Sequence, residues 1–173
     1  FEYSKFLSEV EEASSVTNWA TDQLIFVQVF QGPRNCGHWT GLMIDRMGGP
    51  GREVAIYFDS LGGKGKEIES LFRSVGIINS KQKWIAARVE PQYGVDCGVY
   101  MCCIAAAYLE AASLRSDRSS KELVGVDFSF ESTLTSKQWG RIGRQHILRT
   151  IEDSDFQFED IRANIVLHFV ETT

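Results

Sequence analysis

Among the residues suited to covalent chemistry, a cysteine stands at the end of a turn and the start of an apolar segment. Cys97 follows the turn-like sequence Gly94-Val95-Asp96 and begins a long apolar stretch that is typical of a buried helix. A helix N-terminus carries unpaired N–H groups and roughly half a positive charge, and both stabilise a thiolate. Cys97 therefore has the setting of a nucleophile.

A nucleophilic thiol needs a base and a group that orients the base, and the sequence supplies one of each. His38 begins a predicted strand after a loop rich in Gly, Pro and Asn, and Asp59 directly follows the apolar run 54–58. In Cys–His–Asp chemistry, His38 takes the thiol proton and later donates one to the leaving amine, while Asp59 fixes the imidazole tautomer. The backbone N–H of Cys97 and the side chain of Gln92 are the candidates for holding the oxyanion.

The elements that position these residues follow from the apolar patterns. Strands are predicted from β-branched, aromatic or continuous apolar runs at 24–30, 38–45, 54–58 and 84–89. Helices are predicted within the first twenty residues, at 66–75, at 97–114, from near Ser136, and at about 158–170. This order predicts an α+β domain with a mixed central sheet flanked by helices. Catalytic groups usually gather where the ends of elements meet at one edge of a sheet.

Length and composition indicate one soluble globular domain over residues 1–173. The chain is 43% hydrophobic and 24% charged, and its net charge of -5 argues against nucleic acid as a partner. No apolar run approaches the roughly 20 residues that a membrane helix needs, so no membrane partner is expected. The start lacks both an initiator Met and a signal-peptide pattern, which predicts a fragment of a longer protein. We expect a monomer that needs no cofactor.

The four cysteines do not form the spacing of a disulfide framework, which predicts a reducing, intracellular compartment. That compartment would be the nucleus or cytoplasm, or a host cell if the protein is a pathogen effector. Metal binding is not expected, because the sequence has no C-x-x-C pair and the adjacent Cys102 and Cys103 cannot easily face one metal.

Several of the singled-out residues also fit a purely structural role. Trp39 fits either the core or a substrate-binding surface, and Asp59 can simply begin a turn. Asp96 fits the N-cap of the helix at 97 better than a catalytic role. His146 and His168 fall in helical patterns and are interpreted as structural. The basic residues Arg141, Arg144 and Arg149 are interpreted as the solvated face of the last helix or as a local salt-bridge surface.

Three short motifs occur in an order that resembles one protease family: His38-Trp39, Phe58-Asp59-Ser60, and Gln92 through Asp96-Cys97-Gly98. The chain resembles the ubiquitin-like-protein-specific proteases, the SUMO/sentrin-specific cysteine peptidases, which share a clan with the adenovirus protease. The resemblance covers roughly residues 24–151. It implies a papain-like cysteine protease clan fold with Cys97 as nucleophile, His38 as base and Asp59 as its partner.

The same resemblance implies a narrow tunnel for a Gly-Gly tail, with Trp39 as one wall. A flat aromatic wall selects glycine because every larger side chain would clash with it. The family cleaves after that tail, either maturing a ubiquitin-like modifier or removing it from lysine. SUMO is the first expectation for the modifier, and ubiquitin or a NEDD8-type protein is the second.

The chain departs from the family pattern in three places. The family's glutamine lies six residues before the cysteine, where this chain has Pro91, and Gln92 lies five before. The family's Trp-Leu-Asn-Asp signature is absent, and Trp19 stands roughly in its place. The stretch from Asp59 to Cys97 is also compact.

Two other functions remain open. A same-clan acetyltransferase of the bacterial Yop type would use the same triad to move an acetyl group, but it needs a regulatory cofactor site for which the sequence shows no motif. A modifier-binding module with weak or lost catalysis is the other alternative. The intact Cys–His–Asp set argues against it, and the shifted position of Gln92 keeps it open.

Overall fold

The structure, a computed structural model, describes residues 23–33, 36–92, 94–114, 123–130, 138, 141–145 and 165–171. Across these ranges the strands are β1 (Leu24–Gln31), β2 (His38–Asp45), β3 (Val54–Phe58), β4 (Lys83–Ala86), β5 (Arg88–Val89), β6 (Leu123–Phe130) and β7 (Ile165–Glu171). The helices are α1 (Lys66–Ser74) and α2 (Cys97–Leu114), and residues 138 and 141–145 are also helical. The predicted mixed α+β class is confirmed.

A four-stranded mixed sheet carries the first half of the described chain. Its order is β1-β2-β3-β4, with antiparallel pairing of β1 to β2 and β2 to β3 and parallel pairing of β3 to β4. All five residues of β3 are buried, as its continuous apolar sequence predicts. The predicted strands β1, β2 and β3 are confirmed.

Helix α1 provides the crossover that the parallel pair β3–β4 requires. Its apolar side chains lie on one face, where Ile68 and Phe72 are buried. The N–H of Gly76 donates to the carbonyl of Arg73 at 3.1 Å, which ends the helix near the predicted position.

The predicted strand 84–89 is two strands, and they belong to different sheets. The N–H of Ala87 still donates to the carbonyl of Tyr57 in the first sheet, at 2.8 Å. The N–H of Glu90 donates instead to the carbonyl of Phe128 in β6, at 3.0 Å. The chain therefore passes from the first sheet to the second between β4 and β5, and the prediction of one continuous strand is wrong.

The second sheet has the order β5-β6-β7, and the sequence interpretation missed most of it. Strand β6 was not predicted. The helix predicted at about 158–170 is wrong over residues 165–170, which belong to β7, and its residues 158–164 lie outside the described part of the chain. Strand β7 pairs antiparallel with β6 along its whole length. A short apolar run can be a strand or a buried helix, and here the partner strand decides between them.

Helix α2 is the centre of the larger hydrophobic core, as its nearly uniform apolar sequence predicts. The fully buried side chains of α2 include Tyr100, Met101, Ile104 and Tyr108. A β-carbon at Gly41 of β2 would lie 3.0 Å from the Met101 sulfur, so the glycine allows the helix to approach the sheet closely.

Several predicted features lie outside the described residues. These are the N-terminal helix with Trp19, the charged loop at 115–121, and most of the helix predicted from near Ser136, including His146. Within the described part of the chain, no helix has the length and apolar character to cross a membrane.

Candidate active site

His38 and Asp59 meet at one end of the four-stranded sheet. His38 begins β2 and Asp59 follows β3, and the antiparallel register that sets Gly41 opposite Phe58 brings the two residues together. The His38 Nε2 lies 2.7 Å from the Asp59 Oδ1. A carboxylate can only accept, so Nε2 carries the hydrogen and neutral His38 keeps its lone pair on Nδ1. The pair therefore leaves Nδ1 free to act as a base.

The Asp59 carboxylate is fixed by the turn that follows it. Its Oδ1 also accepts from the N–H of Leu61 at 2.8 Å, and its Oδ2 accepts from the N–H of Gly63 at 3.1 Å. A β-carbon at Gly63 would collide with that oxygen, so only glycine permits this approach. Asp59 does begin a turn, and the same turn orients the oxygen that binds His38.

A partly buried hydrogen-bond network lies beside this pair. The Gln31 side-chain amide is positioned to donate to the Tyr57 hydroxyl at 2.8 Å and to the Thr40 hydroxyl at 2.9 Å. Burial raises the pKa of Tyr57, and the negative charge of Asp59 adds to the rise against the hydrogen bonds from Thr40 and Gln31. The tyrosine therefore stays neutral next to the carboxylate.

Cys97 begins α2 and is buried in its reduced form. The carbonyl of Asp96 accepts the first helical hydrogen bond, from the N–H of Tyr100 at 3.0 Å, so Asp96 occupies the N-cap position. The candidate nucleophile therefore lies in the first turn of the helix, where the backbone N–H groups have no hydrogen-bond acceptor within the helix.

Trp39 lies over the start of this helix. A β-carbon at Gly98 would be 3.4 Å from the Trp39 ring, and the ring also packs against Phe30 with centroids 4.9 Å apart. The Trp39 side chain is 37% exposed, so it belongs to the surface beside Cys97 and not to the core.

The thiol and the imidazole are near the same end of the sheet but are not joined. In the part of the chain that the structure describes, no hydrogen bond links the Cys97 and His38 side chains. Successive strand residues point to opposite faces, so His38 and Trp39 leave β2 on different sides. A direct transfer of the thiol proton would therefore require the Cys97 or the His38 side chain to move.

Gln92 joins the segment before Cys97 to the turn after Asp59. Its side-chain carbonyl accepts from the buried Ser60 hydroxyl, and its backbone N–H donates to the Ser60 carbonyl at 3.3 Å. Its side-chain amide donates to the carbonyl of Gly94 at 2.8 Å, which uses one of its two N–H groups. Sequence interpretation assigned Ser60 no role, although it directly follows the candidate acid.

An ion pair whose two partners the sequence did not identify lies directly before the candidate nucleophile. The guanidinium of Arg144, in the helical segment 141–145, contacts the buried carboxylate of Asp96 without regular hydrogen-bond geometry. The sequence interpretation of Arg144 includes a local salt-bridge surface but does not identify the partner residue. Only the three-dimensional packing of that segment shows that it compensates a buried charge next to Cys97.

No protein-family model, curated protein or solved structure matches this chain. Among the described residues, no group of three or more His, Cys, Asp or Glu side chains is arranged to hold a metal ion. The arrangement that the structure does contain is an oriented imidazole, a carboxylate partner and a thiol at a helix N-terminus.

Proposed function

We propose that this chain is a cysteine peptidase of the ubiquitin-like-protein-specific type, with a papain-like cysteine protease clan fold. The observation that carries the proposal is the 2.7 Å contact between His38 Nε2 and Asp59 Oδ1. It leaves Nδ1 as the basic nitrogen at the end of the sheet where α2 begins with Cys97. The motif order His38-Trp39, Asp59-Ser60 and Asp96-Cys97-Gly98 supports the family.

The residues would divide the reaction between them as follows. His38 Nδ1 takes the Cys97 proton, and the thiolate attacks the carbonyl carbon to form a C–S bond. The backbone N–H of Cys97 stabilises the oxyanion, and the imidazolium donates its proton to the amine as the C–N bond breaks. Water then hydrolyses the thioester, with His38 again as base. Asp59 stabilises the imidazolium throughout.

Trp39 supports a substrate that ends in two glycines. Its partly exposed ring lies against Gly98, directly after the nucleophile, so a chain passing over this surface meets a flat wall. Such a surface rejects larger side chains by clash. The proposed substrates are the precursors and lysine conjugates of a SUMO-type modifier first, and those of ubiquitin or a NEDD8-type modifier second.

Electrophilic probes test the proposal directly. Each probe carries one modifier with its Gly-Gly tail ending in a thiol-reactive group, and the matched control ends in Ala-Ala. We expect the SUMO-type Gly-Gly probe to label the wild-type chain at Cys97, with no labelling of C97A or by the Ala-Ala probe.

Each contrary outcome of the probe experiment points to a different function. No labelling by any of the three modifier probes would contradict the peptidase. Tight modifier binding without labelling would instead identify a binding module, and an acetyl-enzyme formed from acetyl-CoA would identify an acetyltransferase.

A further inference from the structure

Asp96 is a buried carboxylate that directly precedes the candidate nucleophile. Its backbone carbonyl accepts the first hydrogen bond of α2, and its side chain is only 5% exposed. Within the described part of the chain, the buried Oδ1 has no hydrogen bond of regular geometry. A carboxylate in such a position keeps its negative charge only when an opposite charge compensates it.

The charge of Asp96 affects Cys97, because the two residues are adjacent in the chain. Their Cα atoms are about 3.8 Å apart, so their side chains lie within about 8 Å of each other. An N-cap carboxylate stabilises the helix through the positive N-terminal end of its dipole, but a thiolate depends on the same positive end. At that separation, an uncompensated carboxylate would reduce the thiolate population roughly tenfold.

Arg144 supplies the opposite charge from a distant part of the sequence. It lies in the helical segment 141–145, and its guanidinium contacts the Asp96 carboxylate. The imidazole of His38, at the end of the sheet, contacts Asp59 instead. A guanidinium stays protonated throughout the physiological pH range, so it neutralises Asp96 without exchanging protons with a thiol or an imidazole.

We propose that Arg144 is a positioning residue that acts through Asp96 to keep Cys97 reactive. By neutralising the carboxylate, the guanidinium leaves the positive end of α2 to the thiolate, while Asp96 still begins the helix. The inference rests on the proposed role of Cys97 as the nucleophile. It adds that this nucleophile depends on a charge from outside the Cys–His–Asp set, supplied by the helical segment 141–145.

The reactivity of the thiol itself provides the test, because iodoacetamide alkylates a thiolate without any modifier being present. Mass spectrometry follows the rate of alkylation at Cys97 between about pH 5 and pH 10, with the exposed Cys36 as internal standard. Wild type is compared with R144Q, R144K, D96N and the double variant D96N/R144Q. R141Q is the matched control, because Arg141 is exposed in the same helical segment.

R144Q should move the midpoint of the pH profile upward by about one unit, since a tenfold smaller thiolate population corresponds to that shift. R144K should restore most of the wild-type midpoint, because it keeps the charge. D96N should move the midpoint downward, because it leaves the guanidinium uncompensated beside the thiol. The double variant and R141Q should both match wild type.

A loosened helix alone would change the alkylation rate at the high-pH plateau and leave the midpoint where it is. A wild-type midpoint in R144Q, or a double variant shifted as far as R144Q, would therefore overturn the inference. If R144Q does not fold, D96N provides the test, and a midpoint at or above that of wild type would be the contrary result. Failure of the Gly-Gly probes to label Cys97 would remove the peptidase and leave these alkylation results unchanged, so the two failures can be told apart.

Discussion

The four-stranded sheet has a buried aspartate at each end, and the two carboxylates bind different kinds of partner. At one end, Asp59 accepts from the imidazole of His38 at 2.7 Å. At the other, Asp45 closes β2 and accepts from the hydroxyl of Tyr108 at 2.6 Å and from the N–H of Met47 at 2.9 Å. The eight residues of β2 separate the two ends by about 23 Å.

The difference lies in what the partner can do with its proton. Imidazole gains and loses a proton near neutral pH, whereas a phenol keeps its own. Asp59 therefore holds a group that can exchange protons with a substrate. Asp45 holds the middle of α2 against the sheet, because Tyr108 is fully buried on that helix. Burial and hydrogen bonding alone therefore do not distinguish a proposed catalytic carboxylate from a structural one.

The largest effect is expected when the Cys97 thiol is removed, because only the reaction proposed at the Asp59 end of the sheet would use it. C97A should lose turnover by at least about 10³-fold, because no other group can form the thioester. C103A is the control and should retain turnover. Burial, followed by the charge of Cys102, raises the pKa of Cys103, so that thiol stays protonated in the core. Steady-state cleavage of a modifier precursor measures both variants, and substantial turnover by C97A would remove the assignment.

The second-largest predicted effect distinguishes Asp59 from Asp45 by the change in kcat when each is replaced by asparagine. D59N should lower kcat by about 10²- to 10⁴-fold, because a neutral amide stabilises the imidazolium less than a carboxylate does and its NH₂ group favours the wrong imidazole tautomer where it faces Nε2. D45N should leave kcat within about twofold when assayed under conditions where it is folded. The same cleavage assay decides, and equal losses in both variants would show that the two ends do not differ in function.

At the Asp45 end of the sheet, we expect a substitution to lower stability without lowering activity. Y108F removes a buried hydroxyl donor to Asp45 and should lower the free energy of unfolding by about 1–3 kcal/mol. Urea denaturation followed by circular dichroism measures the change. Activity of the folded fraction should match that of wild type, and a loss of kcat without a loss of stability would contradict the structural role.

The smallest effect is expected for Glu69, which lies on helix α1 and at neither end of the four-stranded sheet. Burial pushes the pKa of Glu69 up, but hydrogen bonds from Lys66 and Arg73 outweigh it and hold the pKa below its ordinary value of 4.5. The stability from these contacts is therefore complete above pH 4.5 and is lost as the pH falls through the lower, folded-state pKa.

E69Q should accordingly lower the free energy of unfolding by less than about 1 kcal/mol at neutral pH. It should also lose less stability than wild type as the pH falls below 4.5. Urea midpoints between about pH 3 and pH 6 give the measurement. If the urea midpoint of E69Q fell with pH as steeply as that of wild type, the pH dependence of stability would belong to other carboxylates.

The sequence predicted the parts of the fold whose local pattern has one interpretation. The continuous apolar run of β3 and the apolar surface of α2 specify buried elements wherever they occur, and both were found. Strand β6 was missed although Val126 and Phe128 alternate with Asp127 and Ser129, which is the period of a strand. Strand β7 was mistaken for a helix, because its pairing with β6 is a long-range interaction that local propensity does not contain.

The candidate site divides in the same way. Cys97, His38 and Asp59 could be singled out because each stands where an element begins or ends. The brace between Ser60 and Gln92 and the ion pair between Arg144 and Asp96 could not, because both depend on loops or segments distant in sequence meeting in space.

The passage of the chain from one sheet to the other after β4 also affects how the site folds. The antiparallel strands β1, β2 and β3 are neighbours in sequence, so the His38–Asp59 pair, 21 residues apart, forms between adjacent strands. Cys97 joins only when α2 packs, a step that includes the contact between Asp45 and Tyr108, 63 residues apart. We expect refolding to recover sheet structure before it places Cys97 at the start of the packed helix, so that the proposed activity would report the last stage of folding and not the first.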